Sequence, residues 1–352
     1  MPAPPADRSR WLHVRHRLEH AALSLAERTV PGIPLSVLRG IAPALGTLAW
    51  ACDSGGRRTI RENLRIAFQG TPGSKDKNLR RLEKDNYAAF SRTFLELFWG
   101  SRLRAEDWDR YFVLQADTPA ALAAASGGKC IFATAHCGNF EWLSLGRALK
   151  FGPSMIIAQD FKNPPLTAIF RRLRSLSGQI IIPQEGAMLR LFRHLKKGGS
   201  AAALVDLNVH PRQSAVAIRR FGHWSSISAL HVALAARTGL PLVPALALPL
   251  SDGRWQLRFM DPISVSPESS LQEAAQQCWD VIEPVLLQHP AHWMWLYKHW
   301  RFLPPDADSA DYPAYANRSG AFDKLYFQTV TPVLPSPAVP SPAPSPAMPS
   351  QD

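Results

Sequence analysis

Between Tyr111 and Gln288, short β-prone runs alternate with segments of helical length, and this alternation restricts the fold more than any other feature of the chain. The runs are Tyr111 to Gln115, Lys129 to Ala135, Ser154 to Ala158, Gln179 to Pro183, Ala201 to Asp206 and Ala215 to Arg220. The helical segments among them are Glu141 to Leu149, Pro165 to Leu176, Gly186 to Lys197 and Ser226 to Thr238. Strands separated by helices pair in parallel, and the sheet they form needs helical cover on both faces. Leu242 to Leu248 and Trp255 to Met260, joined through Asp252-Gly253, read as a hairpin. The expected fold is therefore α/β, a mixed, largely parallel sheet flanked by helices. A last helix spans Leu271 to Gln288, ahead of an aromatic stretch from His292 to Arg301.

The N-terminal part is organised differently. Trp11, Val14, Leu18, Ala22 and Leu25 recur at helical spacing while Arg8, Arg10, Arg15, Arg17 and His20 crowd the other faces. Such a helix suits an anionic interface, and it equally suits packing on its own domain. Ile33 to Cys52 is the most hydrophobic stretch and has about the length of a bilayer span. Pro34, Arg39 and Pro43 interrupt it, so it is expected to dip into or lie on a membrane. Two helices follow between Thr59 and Trp99, with a turn at Gly70 to Ser74. Residues 1–57 thus form a membrane-associating segment, 58–304 the α/β domain and 305–329 an extension. Residues 330–352 form a Pro-rich tail with too few apolar side chains to fold.

Lys and Arg outnumber Asp and Glu by 40 to 28, a net charge of +12, which favours an anionic partner: a membrane surface, a nucleic acid or a phosphorylated substrate. Cys52, Cys130, Cys137 and Cys278 form no C-x-x-C pair, so neither a disulfide framework nor a zinc site is expected. Met1 to Arg10 lacks the apolar core of a secretory signal. No G-x-S-x-G elbow, phosphate-binding loop or dinucleotide fingerprint is present, which argues against a serine hydrolase, an NTPase and a redox enzyme.

The chemistry concentrates in Cys130-Ile-Phe-Ala-Thr-Ala-His136-Cys-Gly-Asn-Phe-Glu141. An apolar strand ends at His136 and a helix starts near Glu141, so both face the crevice at the carboxyl edge of a parallel sheet. On one continuous helix these residues would diverge by about 140°. Gly138 is free to take unusual dihedrals and Asn139 is suited to cap the next helix, so the chain can fold back and bring them together. A carboxylate on one imidazole nitrogen fixes the tautomer and leaves the other nitrogen to accept a proton. The same residues also read as a capped helix start, with Glu141 on the positive dipole end and an incidental histidine. Cys137 is a single thiol with no evident activation, a poor nucleophile candidate.

The run Ala135-His-Cys-Gly-Asn-Phe-Glu141 resembles the H-x-x-x-x-D/E block of the glycerolipid acyltransferases, and more closely the H-x-G-N-x-E form of the lipid A late acyltransferase branch. The resemblance runs from about Trp11 to Pro304. It includes Arg58-Thr-Ile-Arg-Glu-Asn-Leu64, Asn163-Pro164 with Arg174-Ser-Leu-Ser-Gly178, Gly198-Gly199 with a strand ending at Asp206, Arg220-Phe221-Gly222, Pro241 to Pro244 and Trp293 to Arg301. Leu207 and Asn208 depart from the family, where Gln or His commonly follows the aspartate.

The resemblance implies a glycerol-3-phosphate acyltransferase-like fold with membrane-associating helices at its N-terminus. It also implies a membrane-associated O-acyltransferase that moves a fatty acyl chain from a thioester to a hydroxyl of a glycolipid such as a lipid A precursor. His136 is then the base and Glu141 its carboxylate partner; Gly138, Asn139, Arg174 and Asp206 bind substrate, with amides near Gly138 steadying the oxyanion. Acyl carrier protein is the implied donor, no metal or redox cofactor is involved, and the cytoplasmic face of the bacterial inner membrane is the implied location. Relatives of the same kind act on lysophospholipids with acyl-CoA or on ornithine lipids, so the acceptor stays open. A basic membrane- or nucleic-acid-binding protein without activity is the reading from another class; no nucleic-acid-binding module is recognisable, and no nucleic-acid partner is expected.

Overall fold

The computed structural model describes residues 6–69, 79–158, 161, 163–176 and 178–330, with the side chains of 13–330 within those ranges. The turn expected at Gly70 to Ser74 and the tail beyond Val330 lie outside the described residues. Helices α1 (Ala6–Thr29), α2 (Leu35–Cys52), α3 (Ser54–Ala67) and α4 (Leu79–Trp99) come first, and the α/β region follows. Its order is α5 (Trp108–Tyr111), β1 (Phe112–Ala116), α6 (Pro119–Gly127), β2 (Ile131–Thr134), α7 (Phe140–Phe151), β3 (Met155–Ala158), α8 (Pro164–Ser175), β4 (Ile180–Pro183), α9 (Ala187–Lys196) and β5 (Ala201–Leu204). Then come β6 (Ala215–Arg220), β7 (His223–Ser228), α10 (Leu230–Thr238), β8 (Leu242–Pro249), β9 (Trp255–Phe259), α11 (Leu271–Gln288) and α12 (Gly320–Val330).

Seven strands form one sheet in the order β1-β9-β8-β2-β5-β3-β4. β8, β2, β5, β3 and β4 run parallel, while the β8–β9 hairpin reverses direction and β1 follows β9. The expected mixed, largely parallel sheet is what forms. All four residues of β2 are buried, as the centre of a sheet covered on both faces requires. Alternation then splits the core. Ile131 and Ala133 pack with α9, α10 and α11, while Phe132, Val243 and Ala245 pack with α4, α6, α7 and α8.

One stretch departs from the sequence reading. Ser226 begins no helix; His223–Ser228 is a strand that pairs antiparallel with β6 in a separate two-stranded ribbon. Phe221 and Gly222 sit at φ 49° and 78°, the left-handed pair that a tight hairpin turn needs. β6 is thereby outside the main sheet.

α2 lies on α4, with Leu38, Ala42 and Gly46 buried against it; a side chain at Gly46 would come within 2.5 Å of the Ala88 backbone. The aromatic stretch has little regular structure. It is a buried strap in which Trp293, Trp295, His299 and Trp300 are all at most 1% exposed. Several of its carbonyls accept from side chains. Asn86 donates to the Ala291 and Trp293 carbonyls, Asn63 to those of Trp295 and Tyr297, and Asn208 and Arg220 to that of His299. The extension packs on the domain through buried Tyr312, Phe322 and Tyr326, with the Phe322 ring stacked on Phe302.

Candidate active site

β2 and β5 are adjacent and parallel, with Thr134 in register with Leu204. Two residues beyond each partner lie His136 and Asp206, and the pairing brings them together at the carboxyl edge of the sheet. The His136 ring Nδ1 is 2.9 Å from Asp206 Oδ1. The His136 backbone N–H donates to Oδ2 at 2.9 Å, and the Trp293 indole N–H donates to the same oxygen at 2.8 Å. Asp206 is 0% exposed. Burial would push its carboxyl up, but the adjacent His136 ring and the hydrogen bonds from His136 prevail and hold it well below the usual carboxylate range. An ionised carboxylate on Nδ1 requires the proton there, which leaves Nε2 as an acceptor. The ring is partly accessible, with Phe140 edge-on at 4.8 Å.

The loop after His136 is fixed on both sides. The Gly138 N–H donates to the His292 carbonyl at 2.9 Å, the Met294 N–H donates to the His136 carbonyl at 3.0 Å, and Thr93 donates to the Gly138 carbonyl. Gly138 has φ 59°, and a Cβ there would lie 1.7 Å from the Ala247 oxygen, so no other residue fits. Asn139 caps α7 by accepting from the Trp142 N–H at 2.9 Å. Its amide donates to Glu96 Oε2 at 2.7 Å, where Trp255 also donates at 2.9 Å, while Arg39 and Arg92 donate to Oε1 at 2.6 and 2.9 Å. Glu96 is 0% exposed, a buried carboxylate with four donors that ties α2, α4 and β9 to the start of α7.

The profile of a bacterial lipid A biosynthesis acyltransferase matches residues 13–302. The chain belongs to that family. Among solved structures, the crystal structure of the 1-acyl-sn-glycerophosphate (LPA) acyltransferase PlsC from Thermotoga maritima is similar at 15% identity, covering 72% of this chain and 99% of that one with a TM-score of 0.35. No curated protein sequence matches.

Within this lipid A acyltransferase framework, the geometry redistributes the residues picked out from the sequence. Glu141 does not reach His136; among the described residues no ion pair joins them. α7 starts at Phe140, so Glu141 is already helical and leaves toward α8, where Arg174 takes both of its oxygens at 2.6 and 3.0 Å. The carboxylate on the imidazole is Asp206, expected from the sequence to bind substrate. Asn139 is buried as a cap, and the Gly138 amide is committed to His292, so neither is free for substrate or oxyanion. The Cys137 N–H is likewise bonded to the Ala135 carbonyl, and burial pushes the Cys137 thiol far up, away from any nucleophilic role.

Glu141 and Arg174 line a small cavity with Leu97, Gly100, Trp142 and Leu173. Among the described residues no group of three or more His, Cys, Asp and Glu side chains is arranged to hold a metal ion. Sequence reasoning missed Glu96 and Trp293. Glu96 had a signal, a lone carboxylate inside Phe94-Leu-Glu-Leu-Phe-Trp99 that must face a partner if that helix is buried.

Proposed function

We propose that this acyltransferase moves a fatty acyl chain from an acyl carrier protein thioester to a hydroxyl of a glycolipid such as a lipid A precursor. His136 Nε2 accepts the hydroxyl proton as the oxygen attacks the thioester carbonyl. The tetrahedral intermediate then collapses, the C–S bond breaks, and the imidazolium returns the proton to the departing thiolate. The products are an ester and a free carrier thiol. Asp206 holds the ring in the Nδ1–H tautomer and steadies the imidazolium as it forms. The oxyanion donors assigned here are the first-turn amides of Phe140 and Glu141 at the N-terminus of α7. Arg174 binds an anionic group of the acceptor, with Glu141 holding its guanidinium in place. The reaction draws on no metal or redox cofactor, the thioester being a co-substrate. The enzyme acts from the cytoplasmic face of the bacterial inner membrane, attached without crossing it.

One observation supports this reading above the rest: a His–carboxylate pair at the carboxyl edge of the sheet in a chain of the lipid A acyltransferase family. Purified protein incubated with an acyl carrier thioester and a lipid A precursor should give the acylated lipid by mass spectrometry. Acylation of lysophospholipid alone, with acyl-CoA as donor, would replace this substrate assignment.

A further inference from the structure

The Arg220-Phe221-Gly222 turn joins β6 to β7 in the ribbon that stands outside the main sheet, and none of the acyl-transfer steps uses it. Phe221 takes φ 49°, a conformation that most side chains avoid and glycine accepts freely. A phenylalanine kept at that angle points to a use for its ring. The ring lies on Trp293, with 5.3 Å between centres and 30° between planes. His299 lies flatter still against the same indole, at 4.0 Å and 21°. Trp279 and Trp295 approach it at 5.7 and 4.5 Å and at steeper angles. Trp293 is 0% exposed, and rings packed this closely leave the indole no room to turn.

The packing aims the indole N–H at Asp206. It ends 2.8 Å from Oδ2, the oxygen that also accepts the His136 main-chain N–H, and Oδ1 is left to the imidazole. Two donors on one oxygen fix the plane of the carboxylate, whereas the main-chain donor alone would let it pivot about that bond. The main chain is tied as well. Cys137 and Trp293 pair as an antiparallel bridge, so the strap carrying the indole is registered on the loop that follows His136. Arg220, itself 0% exposed, donates to the Asp206 and His299 carbonyls, each at 2.6 Å. Burial lowers its pKa to about 10 and the negative charge of Asp206 opposes that, so it stays a cation. A purely packing role would need the rings, but not an N–H directed at a carboxylate that His136 already supplies with donors.

We propose that Trp293 is a positioning residue for the acyl transfer. Its N–H holds the Asp206 carboxylate with Oδ1 toward His136 Nδ1, and the Arg220-Phe221-Gly222 turn seats the indole. The proposal rests on the reading of His136 and Asp206 as the working pair. The test is kcat and KM of the full-length protein with an acyl carrier thioester and a lipid A precursor, beside a melting curve for each variant.

Trp293→Phe should lower kcat about tenfold, the scale of one hydrogen bond to a charged group. Both KM values should stay within about twofold, since a buried indole meets no substrate. Benzothienylalanine at position 293, introduced by nonsense suppression, keeps the fused rings without the N–H. It should lower kcat as much, with a melting temperature close to the wild type's. In an Asp206→Ala background, where the carboxylate is gone, Trp293→Phe should cost nothing further. Phe221→Gly, which suits the φ of 49° and removes only the ring, should lower kcat several-fold alone and not at all beside Trp293→Phe. A benzothienyl protein with wild-type kcat would overturn the proposal and leave Trp293 a packing residue. So would a loss from Trp293→Phe that is as large without the carboxylate as with it. Asp206→Ala turning over at the normal rate would instead remove the pair itself, and the proposal with it.

Discussion

Glu96→Ala should be among the most damaging single changes outside the His136 pair. The carboxylate accepts from Arg39, Arg92, Asn139 and Trp255 at 2.6 to 2.9 Å and is itself out of reach of water. Removing one partner of a buried ion pair costs about 3–5 kcal/mol, because the other charge stays buried. Arg39 and Arg92 side chains are 23% and 21% exposed, so water recovers part of each and moves the ionic share toward the lower figure. The Asn139 and Trp255 donors are also orphaned, at about 1 kcal/mol or more each. A total near 5 kcal/mol follows, against a usual domain stability of about 5–15 kcal/mol. Urea unfolding of wild type, Glu96→Ala and Glu96→Gln measures this directly. Glu96→Gln should lie between the other two, since its amide oxygen still accepts while its NH2 faces donors. Turnover should fall in Glu96→Gln even where the fold survives, because Asn139 loses its brace at the start of α7. Unfolding free energies within about 1 kcal/mol of wild type for both variants would refute the reasoning.

Acid should destabilise the protein in two stages. Burial drives His231 and His292 down to about 4 and His299 to about 3. These rings stay neutral in the fold but gain protons once unfolded, so stability falls as pH drops below about 6.5, by up to about 1.4 kcal/mol per unit for each ring, until the folded values are reached. Asp206, held low, contributes stability that is present above its unfolded value near 3.9 and is lost only as pH falls further. Unfolding free energy that is flat from pH 7 to 5 would contradict this. A chain ending at Val330 should keep the wild-type melt and rate. One ending at Pro304 should lose its cooperative melt, because buried Tyr312, Phe322 and Tyr326 go with it.

The central strands were legible because they are short apolar runs bounded by turn residues, and burial on both faces demands that composition. The β6–β7 ribbon was not. His223-Trp-Ser-Ser-Ile-Ser228 offers too few apolar residues for a core strand, Ser226 imitates a helix cap, and the reversal depends on Phe221 accepting a left-handed conformation rare outside glycine. His136 stood out at the end of its strand, but its carboxylate could not be chosen by spacing. Glu141 is five residues away along the chain, whereas Asp206 comes from a strand 70 residues on, and only the pairing of β2 with β5 brings it alongside. Glu141 carries another contact, to Arg174, that local sequence does not announce.

The central claim is that His136 and Asp206 act as one unit, and turnover of His136→Ala, Asp206→Asn, their double mutant and Glu141→Gln tests it most directly, with a melting curve for each. His136→Ala should lower kcat by roughly 10²–10⁴-fold with little change in acceptor binding. Asp206→Asn should fall in the same range, and the double mutant should be scarcely worse than His136→Ala, since groups that act together do not add. Glu141→Gln should act mainly on KM for an anionic acceptor, through Arg174. A folded His136→Ala protein with near-normal turnover would contradict the account outright, and a mild Asp206→Asn beside a crippled Glu141→Gln would return the imidazole's partner to Glu141.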